Sequence, residues 1–275
     1  MINLTLKDGS VKQVAKGTTL YELASSISEG LARAAVVGKV NGELKDLDYA
    51  LAEDATVEIL TMDNEEALEV LRHSTSHLMA QAVQNLFPGT LLGIGPAIAN
   101  GFYYDFDSEH TFTPEDLEKI EAEIKRLAKE NNKFQRQVVS REEAIKFFQD
   151  RGEKYKVELI NDLPEDAQIS LYTHGNFTDL CAGPHVPSTK ILKAFKLQSV
   201  AGAYWRGSEK NKMLQRIYGL AFAKAADLED YLFKLEEAKR RDHRKLGMEL
   251  DLFSLHDEGP GFPFFHPKGM VLRNI

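Results

Sequence analysis

The sequence predicts an α+β chain in more than one domain, and three observations carry that reading. Short alternating apolar runs separated by turn signals crowd the first sixty or so residues. Beyond them, segments of helical period alternate with strand-like runs. A length of 275 residues is also more than one ordinary core organises. Apolar content of 43% and charged content of 28% are those of a soluble globular protein. One cysteine permits no internal disulfide, which fits a reducing compartment. Met1 leads straight into an alternating strand, with no signal-peptide pattern, and no apolar run is long enough to span a membrane. A net charge of −8 argues against nucleic-acid binding by the whole surface, while leaving room for a local basic patch.

Taken in order, Ile2, Leu4 and Leu6 alternate, Asp8-Gly9 signals a hairpin, and Val11 to Val14 returns. Thr19 and Glu22 have capping-box spacing before a short helix, Leu20 to Ile27. Ala35 to Val40 is strand-like and turns at Asn41-Gly42, and Thr56 to Leu60 closes the unit. The order ββαββ over residues 1–61 predicts a ubiquitin-like β-grasp module. Nothing in it has the setting of a catalyst, so it is expected to bind or to space.

Residues 62–225 predict a larger α+β domain. Asp63 and Glu66 offer a capping box for a helix running to about Phe87, stopped by Pro88-Gly89. On that helix Leu68, Leu71, Thr75, Leu78, Met79, Ala82 and Leu86 form an apolar stripe, with His73 and His77 roughly opposite. Phe102 to Asp107 reads as an aromatic-rich strand, more often core than stacking platform. Thr113-Pro114 opens a helix with Leu117, Ile120, Ile124 and Leu127 inward. Phe134 to Val139 is a strand, Ser140 and Glu143 cap a short helix, and Tyr155 to Ile160 alternates as another strand. Ile169 to Tyr172 and Phe177 onward form a hairpin-like pair, followed by Asp179-Leu180-Cys181-Ala182-Gly183-Pro184-His185. Strands over Phe195–Val200 and 215–219 flank Ala201-Gly202-Ala203-Tyr204-Trp205-Arg206-Gly207, whose small residues admit close approach.

A linker helix is expected over 226–247, ending in Lys239-Arg240-Arg241-Asp242-His243-Arg244-Lys245. Such a basic end suits either a helix C-terminus or a phosphate backbone. The segment 248–275 begins something new without room to complete a fold, as in one part of a longer protein.

His73 and His77, four apart on a helix, point to the same side. Alone they are as easily two solvated surface histidines. The sole cysteine and another histidine, presented by a Gly-Pro turn, make a constellation of them. Three chemistries fit His73, His77, Cys181 and His185. They match the ligand preferences of zinc, although Ser74 stands where a metalloprotease motif has glutamate. Cys181 and a histidine could form a nucleophilic pair. Or imidazoles and a carboxylate could position water, with Lys156 and Asp179 supplying charge stabilisation and orientation. Spacing alone does not separate them.

Across essentially its whole length the chain resembles the amino-terminal half of the bacterial threonyl-tRNA synthetase family. The carriers are Leu71-Arg72-His73-Ser74-Thr75-Ser76-His77-Leu78, Gly101-Phe102-Tyr103-Tyr104-Asp105, the Asp179–His185 stretch, Ala201 to Gly207, and Arg241-Asp242-His243-Arg244-Lys245. The histidine pair also occurs in related alanyl-type editing domains; the Ala-Gly-Ala-Tyr-Trp-Arg-Gly stretch with the preceding grasp module is more specific. One departure is Ala182, where many members have arginine, a change that bears on an RNA contact.

The resemblance implies a TGS domain at 1–61, an editing domain at 62–225, a linker helix at 226–247 and the start of a class II aminoacylation core at 248–275. The editing domain would hydrolyse serine wrongly esterified to threonine tRNA. His73 would orient or deprotonate water, Lys156 would stabilise developing charge, and Asp179 would hold the amino group or water. His77, Cys181, His185 and Tyr104 would shape the pocket; Arg206, Arg240, Arg241, Arg244 and Lys245 would contact tRNA. Editing would need no cofactor, and no metal is expected here, although His73, His77, Cys181 and His185 would be its ligands. ATP, magnesium and zinc belong to the absent core, so this chain is not expected to charge tRNA. The implied setting is cytoplasmic, with the full enzyme a homodimer, this chain a monomer, and the acceptor end of threonine tRNA as partner. The competing readings are a zinc-dependent hydrolase and a non-catalytic tRNA-binding module using Lys190, Lys193, Lys196, Arg206, Arg216 and the basic helix end.

Overall fold

A computed structural model of the chain describes residues 1–275. It divides into two compact units, Met1–Ala225 and Ala226–Ile275.

The first unit opens with β1 (Ile2–Leu6), β2 (Val11–Val14), α1 (Leu20–Ile27), α2 (Glu29–Ala34), β3 (Ala35–Val40), β4 (Glu43–Lys45) and β5 (Ala55–Thr61). The strands form one mixed sheet in the order β2-β1-β5-β3-β4, with β1 and β5 parallel at its centre. Thr19 and Glu22 close a reciprocal capping box on α1, whose Leu20, Leu23 and Ala24 pack against Leu4, Val40 and Val57 of the sheet. This is the β-grasp arrangement. The extra helix α2 went unread because Gly30 masks it; Ser28 caps it by accepting from the Leu31 amide.

The larger part of this unit follows as α3 (Glu65–Leu86), β6 (Leu91–Leu92), β7 (Ala97–Ile98), β8 (Gly101–Asp107), α4 (Pro114–Lys129), β9 (Gln135–Val139), α5 (Arg141–Gln149), α6 (Lys154–Asp162), β10 (Ile169–His174), β11 (Phe177–Leu180), β12 (Ala194–Tyr204) and β13 (Met213–Phe222). One antiparallel sheet runs β12-β13-β8-β6, with β7 also on β8; a second runs β11-β10-β9. Helix α3 is buried almost all round from Val70 to Val83. Leu71, Leu78, Met79 and Ala82 join Phe102, Phe106 and Ile217 in the main core, together with Ile120 and Ile124 from α4. Val36, Val37 and Leu60 of the grasp module enter the same core, and Lys39 reaches Glu66 on α3 at 2.7 Å.

Three local readings are corrected. Tyr155 to Ile160 is helical, within α6, because that helix is apolar on two sides. Tyr155 and Leu159 pack with Trp205 and Leu214, while Val157 and Ile160 pack with Phe148 and Leu171, and two faces on one helix mimic strand alternation in the sequence. At the start of α3 the cap is Asn64 rather than Asp63, and it makes no side-chain capping bond. The single helix expected over 226–247 is instead α7 (Ala225–Arg240) and α8 (His243–Glu249). Asp242 breaks it, its carboxylate accepting from the Arg244 amide at 2.8 Å as a new N-cap.

The second unit continues with a hairpin of β14 (Phe253–Leu255) and β15 (Pro263–Phe265), then α9 (Pro267–Arg273). No helix in the chain is long and apolar enough to cross a membrane.

Candidate active site

His73 and His77 project from one side of α3, and the segment from β11 to Val186, with Asp179, Cys181 and His185, closes over them. That segment converts what would be a solvated polar face into an interior. His77 and His185 are buried and His73 is partly open. One donor atom each from His73, His77, Cys181 and His185 lies within 4.8 Å of every other.

Three of the four side chains, His73, Cys181 and His185, are held by hydrogen-bond partners. His73 Nδ1 faces the Gly95 carbonyl at 3.3 Å, and its Nε2 lies 2.9 Å from Cys181 Sγ. His185 Nδ1 lies 3.0 Å from Ser74 Oγ and its Nε2 lies 3.3 Å from the same sulfur. The His185 ring is stacked between Phe134 and His73, with centroids at 4.7 and 4.6 Å. Ser74 also accepts from the Val186 amide at 3.0 Å, so one hydroxyl orients both backbone and ring of the loop. Asp46, from the grasp module, accepts from the His185 amide at 2.8 Å and from Tyr172 Oη at 2.6 Å.

A second group adjoins the first. Lys156 Nζ sits 2.6 Å from Asp179 Oδ1 and 2.8 Å from Tyr104 Oη, and the tyrosine donates to Asp179 Oδ2 at 2.5 Å. All three are buried. His77 Nδ1, which has no hydrogen-bond partner, stands 3.9 Å from Asp179 Oδ2 and links the two groups. Alternation along β8 sends Tyr104 into this network and Tyr103 to the other face, where it stacks on Arg216. Glycine is required beside it: a Cβ at Gly95 would fall 2.1 Å from Tyr104 Cδ2.

Burial governs the protonation states. Withdrawal from water lowers the His73 pKa, and holds His77 and His185 well below the ordinary 6.5, with the neighbouring imidazoles adding to the effect. The same desolvation pushes the Cys181 thiol up to about 12. At neutral pH the cluster is therefore three neutral imidazoles around a protonated thiol. A thiol in that state is a poor nucleophile, whereas a neutral imidazole can accept a proton.

The donor set could also hold a metal ion. The Nδ1 contacts of His73 and His185 leave both Nε2 atoms facing the sulfur, as hydrogen bonds that orient metal-ligating histidines do. Against that, the sulfur–nitrogen separation of 2.9 Å is a hydrogen-bond distance. Bonds of about 2.0 and 2.3 Å in a tetrahedron would set N and S roughly 3.5 Å apart.

Within the first unit, Arg206, Arg216 and Lys196 pair elsewhere and form no part of this site. Arg206 pairs with Asp162 and lies 3.9 Å from Glu158. In the second unit Arg240 and Arg241 both pair with Glu237, Arg244 with Asp242, and Lys245 lies 3.9 Å from Glu249. Arg216 is engaged by Asp105 through two bonds, and Lys196 by Glu121. Sequence reading missed Ser74, Tyr172, Phe134 and Asp46 as holders of the site. Ser74 had a signal, lying between the two histidines on the same helix. Asp46 had none, because its partners are more than a hundred residues away.

The TGS domain family matches residues 2–61, and the family of the threonyl and alanyl tRNA synthetase second additional domain matches residues 169–218. The threonine–tRNA ligase of Desulforamulus reducens is 65% identical over 274 residues, those of Acetivibrio thermocellus 62% over 275 and Clostridium novyi 61% over 274. Each match takes in all of this chain, and the chain spans 43% of the length of these relatives. From end to end, then, the chain matches the amino-terminal part of bacterial threonine–tRNA ligases, a TGS domain followed by the second additional domain of the threonyl and alanyl enzymes.

Proposed function

We propose that residues 62–225 are an editing domain that hydrolyses serine wrongly esterified to threonine tRNA, working within a ligase whose whole length attaches threonine to that tRNA with ATP. The carrying observation is the junction, at His77 and Asp179, of a neutral imidazole–thiol cluster with a buried Lys156–Asp179–Tyr104 group. A base and a fixed positive charge side by side are what ester hydrolysis by water requires.

In this scheme His73, the most open imidazole, takes a proton from water as the oxygen adds to the ester carbonyl. Lys156 stabilises the oxyanion. When the carbon–oxygen bond to the ribose breaks, the proton on His73 passes to the leaving hydroxyl. Asp179 and Tyr104 hold the lysine and the amino group of the substrate, while His77, Cys181 and His185 wall the pocket. The elevated thiol supports a pocket role for Cys181 over a covalent one. The need for such a site is physical: serine lacks one methyl of threonine, and a missing methyl discriminates by only about 10–200-fold.

A zinc-dependent hydrolase is the second reading, favoured by the His, His, Cys, His donor set. A bound ion would polarise the carbonyl or acidify a water. Deacylation of seryl- and threonyl-tRNA by this chain, with and without a chelator and with His73→Ala, tests both readings. Loss of seryl hydrolysis in His73→Ala with activity unmoved by chelator supports the metal-free scheme; undiminished turnover in His73→Ala sinks it.

The division 1–61, 62–225, 226–247 and 248–275 belongs to the same proposal. So do contacts of Arg206, Arg240, Arg241, Arg244 and Lys245 with the tRNA, a cytoplasmic setting and a homodimeric whole enzyme. ATP, magnesium and zinc would serve the part of that enzyme beyond this chain.

A further inference from the structure

We infer that Asp46, in the amino-terminal grasp module, is a positioning residue for the candidate active site: its carboxylate ties the Cys181–His185 loop to Tyr172 and so fixes the sulfur and the His185 ring against His73. The inference rests on the editing reading for its kinetic arm alone.

Each carboxylate oxygen takes one bond. Oδ1 accepts from the His185 amide at 2.8 Å and Oδ2 from Tyr172 Oη at 2.6 Å. Both donors come from the larger domain, and no other acceptor serves either. Tyr172 Oη in turn supports the loop from beneath, because a Cβ at Gly183 would fall 1.9 Å from it. The Tyr172 ring also meets the His185 ring edge to face, with centroids 4.5 Å apart. Asp46 thus holds the same histidine directly through its backbone and indirectly through a ring contact.

The anchor is itself fixed. Lys45, one residue before it, pairs with Gly38 in the sheet. Leu47, one residue after it, is buried, and its carbonyl accepts from the Tyr21 amide at 2.8 Å. The module beneath shares the main core through Val36, Val37 and Leu60. A residue on a rigid support can set a loop position to a fraction of an ångström, and a water-activating site is sensitive at that scale.

Cys181 is the chain's single cysteine, so its alkylation reports the loop directly. The test compares the 275-residue chain with Asp46→Ala, Asp46→Asn and Tyr172→Phe. Each is followed by iodoacetamide alkylation under native conditions, by kcat and KM for seryl-tRNA deacylation, and by urea midpoint. Asp46→Ala should alkylate at least about tenfold faster and lose at least about tenfold in kcat with KM little changed, since two donors lose their acceptor. Asp46→Asn should restore most of both, because its amide oxygen still accepts from His185 and its amide nitrogen can donate to Tyr172 Oη. Tyr172→Phe breaks one bond of the two and should fall between. If Asp46→Ala fails to fold, these milder variants decide the matter by the same readouts. Thiol reactivity and kcat within about twofold of the parent in Asp46→Ala, or in Tyr172→Phe if Asp46→Ala does not fold, would overturn the inference. So would a kcat loss with alkylation unchanged, or one that asparagine does not repair. Absence of seryl hydrolysis in the parent would remove the editing reading, and the alkylation rates would still decide the role of Asp46.

Discussion

Lys156 Nζ lies 2.6 Å from Asp179 Oδ1, and the two side chains are 3% and 1% exposed. An ion pair sealed to this degree is a weak source of stability, since desolvating both charges offsets most of their attraction. Tyr104 bonds to both members and satisfies lone pairs that burial would otherwise leave unmet. The arrangement keeps a full positive charge at a water-poor site, where it acts on developing negative charge more strongly than in solvent.

Removing one partner should therefore do more harm than removing both. Lys156→Met leaves a buried carboxylate unpaired and should destabilise the chain by about 3–5 kcal/mol. Lys156→Met with Asp179→Leu should recover most of that loss in a urea titration. Neither variant should recover ester hydrolysis. A single variant as stable as the double would show that the carboxylate finds another partner.

His73→Ala should reduce seryl-ester hydrolysis by roughly 10²–10⁴-fold, the usual contribution of a positioned base. The circular dichroism spectrum should not change, because the ring is partly open, the Gly95 carbonyl still accepts from Ser76 Oγ at 2.7 Å and the Cys181 sulfur still meets His185 at 3.3 Å. Cys181→Ser should cost far less, within about tenfold, and no acyl-enzyme should be trapped on mass spectrometry. A covalent adduct on Cys181 would reverse the roles given to these two residues.

Stability should form a plateau in pH with two shoulders. On the acid side, burial holds His174 down to about 4, and His73, His77 and His185 are likewise lowered. Below the ordinary 6.5 the unfolded chain binds protons that the folded chain refuses, so stability falls as pH drops through that window. On the alkaline side, the folded thiol keeps its proton up to about 12 while an exposed cysteine releases it near 9.0. Stability should therefore fall again as pH climbs above that lower value. Urea midpoints across the range check both limbs, and His174→Phe should soften the acid one. For activity, a base with a lowered pKa stays competent below pH 6.5, so the acid limb of the rate should lie beneath that value.

Much of this was legible in the chain because local rules agreed with one another. The alternation of Ile2, Leu4 and Leu6, the Thr19–Glu22 box and the Asn41-Gly42 turn place the grasp elements without tertiary information. The histidine pair stood out because it left the apolar stripe of its own helix. Legibility failed where an element faces two surfaces at once, as α6 does between Phe148 and Trp205. It failed also where the partner is remote. No spacing rule joins Asp46 to Tyr172 or Ser74 to His185, since those bonds exist only after the sheets have packed. The depth of the cluster was illegible for the same reason: on α3 alone His77 looks solvated, and it becomes interior once Phe177, Asp179 and His185 pack against it.

A last expectation concerns the space around Tyr104. Gly95 crosses the tyrosine so closely that an added methyl group would lie 2.1 Å from Cδ2 and 2.4 Å from Cε2 of the ring. Neither atom can yield without disturbing the hydroxyl, which is bonded to Asp179 and Lys156 in a fully buried network. The ring is also stacked on Phe106, with centroids 5.2 Å apart. Gly95→Ala should therefore cost about 1–3 kcal/mol through overpacking. It should also lower seryl-ester hydrolysis well beyond what that loss of stability explains, because the lysine moves with the tyrosine. In a Tyr104→Ala background, itself destabilised by the emptied ring site, adding Gly95→Ala should cost little further stability because the clash is gone, and neither variant should be active. If Gly95→Ala alone kept both wild-type stability and full turnover, the ring would have room to move, and the rigid placement argued for Lys156 would be wrong.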